Sequence, residues 1–170
     1  SCKYILILFF SVYFISCSSS NSIYSNSNIL FASFPDKSSA DDGAFYYLEI
    51  LGYNSKTKSY FRFTNDNYED RHPSYSPDGN RILFSSKRPF TGNLSGAAPK
   101  KLYVLDIPSN QINLIDTDFL SDYAFQGIVD CDNPIWSPVS NDIAFRIGNI
   151  FDCKIIVFDI DSHKLRLIMD

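Results

Sequence analysis

Residues 73–86, PSYSPDGNRILFSS, decide how this chain is read. Ser76-Pro77-Asp78-Gly79 suits a type I turn, with Pro77 presetting φ at the second position and Gly79 at the fourth. Ile82-Leu83-Phe84 then forms an apolar run, the pattern of a strand covered on both faces. The stretch therefore predicts strand, tight turn and strand. It returns 61 residues later: Pro134-Ile135-Trp136-Ser137-Pro138 matches Pro73-Ser74-Tyr75-Ser76-Pro77, and Asp142-Ile143-Ala144-Phe145 matches Arg81-Ile82-Leu83-Phe84.

Working outward, Ile29-Leu30-Phe31-Ala32-Ser33 matches Ile82-Leu83-Phe84-Ser85-Ser86 at a spacing of 53. A hairpin follows each of the later copies. Residues 102–107 turn at Pro108-Ser109-Asn110 and pair with 112–115; residues 155–160 turn at Asp161-Ser162-His163 and pair with 165–168. In both, an Asp-Ile pair ends the strand and a Ser sits in the turn. The first unit is expected to place Glu49-Ile50 there, with strands at 45–51 and 60–64, a longer turn at 52–58, and a worn first strand at Ile23-Tyr24-Ser25. Self-similarity at this period, four short strands per unit and no segment of helical period select a β-propeller. The expected fold is all-β, with three four-stranded antiparallel blades at about 29–64, 73–116 and 134–169 of a partial propeller spanning 29–170.

Composition agrees. The 170 residues suit one domain, 45% hydrophobic content supplies a core, and 16% aromatics lean towards strands. A net charge of −4 without runs of like charge leaves no footprint for a nucleic-acid partner.

Residues 1–16 have the form of a signal peptide: Lys3, an apolar run at 4–15, then small residues. The run is shorter than the roughly 20 residues of a membrane span. Residue 1 is Ser rather than Met, and the chain is expected to lack its true start. Phe14-Ile15-Ser16-Cys17 resembles the lipobox of bacterial lipoproteins. That resemblance implies that Cys17 becomes the mature N-terminus and carries a diacylglycerol thioether plus an amide-linked acyl chain, which together anchor stably. Residues 17–28 would then form a polar tether, and Ser18 implies sorting to the outer membrane.

The pattern P-x-[YW]-S-P-D-G-x-x-I-x-F, followed by a strand ending in Asp, resembles the TolB-like (WD40-like) β-propeller repeat. The second unit carries it whole. The third keeps Pro134, Trp136, Ser137, Pro138 and Phe145, but has Val139-Ser140 in place of Asp-Gly. The resemblance implies an exported protein of the bacterial cell envelope, facing the periplasm or the surface, that binds or scaffolds a protein or envelope component without catalysis. It also admits the propeller portion of a secreted prolyl-oligopeptidase-like hydrolase whose catalytic domain lies elsewhere. Propellers have 4–8 blades, so three blades imply part of a larger propeller, or closure by self-association or with a partner.

The residues offer little for chemistry. No G-x-S-x-G nucleophile motif or phosphate loop occurs. His72 and His163 read as structural and turn residues. Asp66, Glu69 and Asp70, with Asp116, Asp118, Asp130 and Asp132, form acidic clusters of the oxygen type that calcium takes, without the spacing of an EF-hand. No enzyme activity, cofactor or metal is expected. Loops 87–100 and 118–133 should share one face, where binding residues collect. Arg88, Phe90, Tyr123 and Phe125 are the expected partner contacts; alternatively the apolar 118–133 insertion tucks against the core. Export leaves Cys131 and Cys153 as an expected disulfide, with two independent thiols as the other reading.

Overall fold

The computed structural model describes residues 29–34, 47–88, 99–123, 130–148 and 153–169. The first sheet holds β1 (Ile29–Ser33), β2 (Glu49–Asn54) and β3 (Ser59–Arg62). The second holds β4 (Asp70–Tyr75), β5 (Arg81–Ser86), β6 (Lys101–Asp106) and β7 (Gln111–Leu114). The third holds β8 (Cys131–Trp136), β9 (Asp142–Gly148), β10 (Cys153–Asp159) and β11 (Lys164–Met169). Every pairing is antiparallel between chain neighbours, so each sheet is a simple meander. The protein is all-β, in three blades in the expected order. The expected strand at Ile23-Tyr24-Ser25 lies outside the described residues, and β1 occupies the place that β5 and β9 hold in their blades.

The turns show why these segments stop where they do. At the central motif the Gly79 amide donates to the Ser76 carbonyl at 2.9 Å, and Gly79 takes φ 72°, where the lack of a Cβ removes the steric penalty. Ser76 Oγ then accepts the Arg81 amide at 2.9 Å and closes the hairpin. In the outer hairpins a side-chain oxygen caps the turn. Asp106 accepts the Ser109 amide at 2.9 Å, and Asp159 accepts the Ser162 amide at 3.0 Å. In the first blade this cap is Asn54, which accepts from Lys56 and Thr57 at 2.9 and 3.1 Å. The expected Glu49-Ile50 equivalence is therefore corrected: β2 runs on to Asn54, and its turn is as short as the others. Lys58, Asn110 and His163 end the three turns with φ of 59°, 55° and 54°.

β4 and β8 share a bulge. Their pairing slips between Arg71 and Ser74 and between Asp132 and Ile135. His72 and Asn133, each just before a proline, sit there at φ 52° and 50°. The extra residue re-aims the neighbouring side chains, which is what bulges do.

The core lies between the blades. Leu30, Ala32 and Ile50 of the first pack against Tyr75, Ile82, Phe84, Tyr103 and Leu105 of the second. On the second blade's other face, Leu83, Leu102 and Val104 pack against Trp136, Ile143, Phe145, Ile156 and Phe158. Phe84, Phe145 and Phe158 are fully buried, each worth about 1.5–3 kcal/mol of transfer free energy. Polar contacts hold the same seam: the Trp136 amide donates to Ser74 Oγ at 2.9 Å, and the Arg81 guanidinium lies 4.7 Å over the Trp136 ring.

The expected Cys131–Cys153 disulfide is not formed; both are free thiols. Cys131 pairs with Ile147 and Cys153 with Gly148 on opposite sides of β9. That leaves two strand spacings between them, about 9–10 Å, where a disulfide needs about 4.4–6.8 Å between Cα atoms. Cys131 is buried and Cys153 exposed, so the two side chains do not meet. The Cys131 thiol instead hydrogen-bonds Thr117 Oγ1 at 3.6 Å, and burial pushes its pKa up to about 12.

Candidate partner-binding face

The starts of β4, β6, β8 and β10 and the ends of β5, β7 and β9 all lie on one face, opposite the Ser-Pro turns. The described ends of loops 87–100 and 118–133 converge on it, as expected. The Lys100 amide donates to Asp130 Oδ1 at 2.6 Å, and the Cys131 amide donates to the Lys100 carbonyl at 2.8 Å. Lys101 Nζ reaches Asp118 at 2.6 Å.

Between the first two blades, the acidic residues of this face form an ion-pair cluster. Arg88, expected as an exposed contact, is buried: it donates to both Asp70 oxygens at 2.6 and 3.0 Å and also to Asp66. Its guanidinium lies 5.2, 5.4 and 5.7 Å from the Phe84, Tyr68 and Tyr103 rings. Stacking of this kind suits the planar, weakly hydrated guanidinium and draws it inward. Burial pushes Asp70's carboxyl up to about 6, against the pull of Arg88. Carboxylate oxygens of Glu49, Asp66 and Asp70 lie within 4.8 Å of one another, a grouping that suits a cation. Arg88 supplies that cation to Asp66 and Asp70, while Glu49 pairs with Arg62 at 3.3 Å and accepts Thr64 Oγ1 at 2.6 Å and the Asp66 amide at 2.9 Å. Beside them, burial raises Glu69, but hydrogen bonds from Lys87 and Arg71 outweigh it and hold the carboxyl below its usual value.

Between the second and third blades, Asp132 gathers His72 Nδ1 at 2.9 Å, Lys100 Nζ at 2.9 Å and Arg146 Nη2 at 3.4 Å. Burial alone would raise its pKa, but the hydrogen bonds from His72 and Lys100 hold it well below the carboxylate range. His72 thus has an orienting carboxylate, which the sequence did not disclose. Ser85 Oγ also donates to Asp132, at 3.3 Å, but Ser85 is fully buried and presents no exposed nucleophile.

The 118–133 insertion begins as a 3-10 helix, Asp118–Tyr123. Its Leu120 enters the core, Phe119 packs 5.4 Å from Phe158, and Tyr123 is 43% exposed. The described half of the insertion therefore both tucks in and offers rings to solvent. Of the expected partner contacts, Tyr123 is exposed on the loop face and Arg88 is buried beneath it; Phe90 and Phe125 lie outside the described residues. Sequence reasoning missed Lys100, Lys101 and Arg146. A signal existed: at the 61-residue spacing, Glu69-Asp70-Arg71-His72 aligns with Asp130-Cys131-Asp132-Asn133, so charge recurs around both bulges.

No protein-family model matches the sequence. Nor does any curated protein. Solved structures do match. A structure assigned as TolB from Agrobacterium tumefaciens superposes with a TM-score of 0.60 at 16% identity, over 88% of this chain and 47% of that one. TolB from Acinetobacter baumannii gives 0.53 at 18%, over 89% and 31%. The tricorn protease gives 0.54 at 14%, over 85% and 17%. The chain spans less than half the length of each. In fold, this chain is a run of TolB-like β-propeller blades.

Proposed function

We propose that the chain is a lipid-anchored β-propeller of the bacterial cell envelope that binds or scaffolds a protein partner through its loop face and performs no catalysis. The observation that carries this reading is the convergence of the described ends of the two loops on one ion-paired face, with Phe119 and Tyr123 exposed above the buried Leu120. Aromatic side chains on a fixed platform are the usual anchors of protein interfaces. Cys17 in its lipobox context supports the anchor, and the fold shared with TolB structures supports an envelope setting.

The test has two arms in one bacterial expression experiment with a complete signal peptide. Labelled fatty acid should enter the protein and be lost on Cys17→Ser; labelling that survives the change removes the anchor. A photo-crosslinking residue at Tyr123 should trap a discrete envelope protein. The same residue at Val139, 88% exposed in a turn on the opposite face, should trap none. Equal yields at the two positions would sink the binding face.

A further inference from the structure

From Leu102 to Phe145 the chain carries seven aspartates and no lysine or arginine. No two of them are adjacent, so the bias forms no run of like charge. Folding brings cations from outside this stretch to some of them: Lys100 to Asp130 and Asp132, Lys101 to Asp118, and Arg166 to Asp142. Asp106 caps its own turn. Asp116 and Asp122 are left over. Both are exposed, and among the described residues neither forms an ion pair; Asp116 accepts only the Asp118 amide, at 3.0 Å.

These two carboxylates flank the exposed aromatics of the 3-10 helix Asp118–Tyr123. Side chains three apart eclipse in such a helix, so Asp122 shares a side with Phe119, which is 47% exposed. The helix is fixed in place. Leu120 is sunk in the core shared by the second and third blades, and the nearly buried Lys101 holds Asp118 at 2.6 Å. The patch lies over the seam of these two blades, whose facing sheets are both described. Its exposure is therefore set by neighbours within the chain, not by the sheets at either end of the series.

We propose that Asp116, Phe119, Asp122 and Tyr123 dock a basic segment of the protein partner, one in which lysine or arginine flanks an apolar side chain. This deepens the binding face proposed above and rests on it. Charge complementarity selects the occupant. Two carboxylates without a cation repel an acidic segment, an anionic lipid surface or a nucleic-acid backbone, and attract lysine or arginine. The rings seat the apolar side chain, and their π-faces draw the same cations. A wholly apolar segment would strip water from Asp116 and Asp122 and return no counter-charge.

Two fluorescent heptapeptides test this on the full chain, one with lysine at alternate positions around a central phenylalanine, the other with glutamate for each lysine. The lysine probe should bind, more weakly as salt is added, and the glutamate probe should not. Asp122→Lys combined with Asp116→Asn, which keeps an acceptor for the Asp118 amide, should weaken the lysine probe about tenfold with strand circular dichroism retained. Asp122→Asn stands in, with a smaller loss, should lysine disturb the helix. A lysine probe that fails to bind, binds no better than its glutamate twin or ignores the substitutions overturns the proposal. Crosslinking from Tyr123 in expressing cells separates it from the reading beneath it. A trapped envelope protein that is lost on Asp122→Lys, and whose crosslinked peptide holds lysine or arginine beside an apolar residue, supports the basic partner. Trapping that survives Asp122→Lys, or a crosslinked peptide without a basic residue, overturns the basic partner and leaves the binding face standing. Trapping of no protein overturns both.

Discussion

Replacing Arg88 with Ala should lower stability at neutral pH by about 3–5 kcal/mol, the range for removing one partner of a buried ion pair. The size of the effect comes from Asp70, which is 0% exposed and takes two hydrogen bonds from the guanidinium. Without Arg88 a buried carboxylate keeps only Ser86 and Thr64 as hydrogen-bonding neighbours. Three rings also lose the group stacked over them, and the Tyr103 hydroxyl donates at 3.1 Å to the carbonyl of the same residue. The pH dependence has a definite sign. Asp70 titrates at about 6 in the fold, above its ordinary 3.8, so its protonated form is the one the fold prefers and its contribution to stability falls as pH rises through about 6. Deleting Arg88 removes the opposing pull and moves the folded pKa higher still. The loss should be large at neutral pH and shrink as the pH falls through about 6, below which the folded Asp70 is protonated and needs no cation. Urea denaturation at neutral and acidic pH measures both. Adding Asp70→Asn to Arg88→Ala should recover part of the loss; an equal loss at both pH values, without recovery, would mean that only the packing of the arginine stem matters.

Arg88 also marks the boundary of what could be read from the chain. The blades were legible because their signals are local: Ser76-Pro77-Asp78-Gly79 writes a turn in four residues, and Asp106 and Asp159 cap turns three residues on. Where the local signal changed form, the reading slipped. Asn54 does in the first blade what an aspartate does in the others, and in sequence Glu49-Ile50 resembles the Asp-Ile pair more closely than Asn54 does. Ion pairs between residues distant in sequence were out of reach for a different reason. Arg88 looks like a loop residue until packing sets it among Tyr68, Phe84 and Tyr103, whose rings come from three parts of the chain. The thiols failed the same test: the sequence places both on the same face with one strand between them, but only the folded register and packing fix that gap and turn one side chain in and the other out.

The second large effect is expected at Asp132. Asp132→Asn should cost about 2–3 kcal/mol at neutral pH, the scale of a lost charged hydrogen bond rather than of a fully buried pair, because Lys100 and Arg146 stay partly wet. The asparagine keeps the shape but leaves His72, Lys100 and Arg146 around a neutral amide, across the seam between the second and third blades. Linkage here runs opposite to that of Asp70. A carboxyl held well below its ordinary 3.8 adds stability that is fully present above that value and is lost as the pH falls through its folded pKa. The unaltered protein should therefore lose this contribution on acidification, while Asp132→Asn has none to lose, so the two stability curves should converge in acid. The position joins charge to geometry as well. Asp132 lies in the β8 bulge beside Asn133 at φ 50°, and His72 holds the matching place in β4 at φ 52°. The Asp132–His72 contact thus ties the two bulges together across the blades. His72→Gln retains a donor for Asp132, so it should cost less than Asp132→Asn and preserve most of the acid sensitivity. Curves for Asp132→Asn and the unaltered protein that stay parallel down to acid pH would show that the carboxylate is held by packing rather than by its cations.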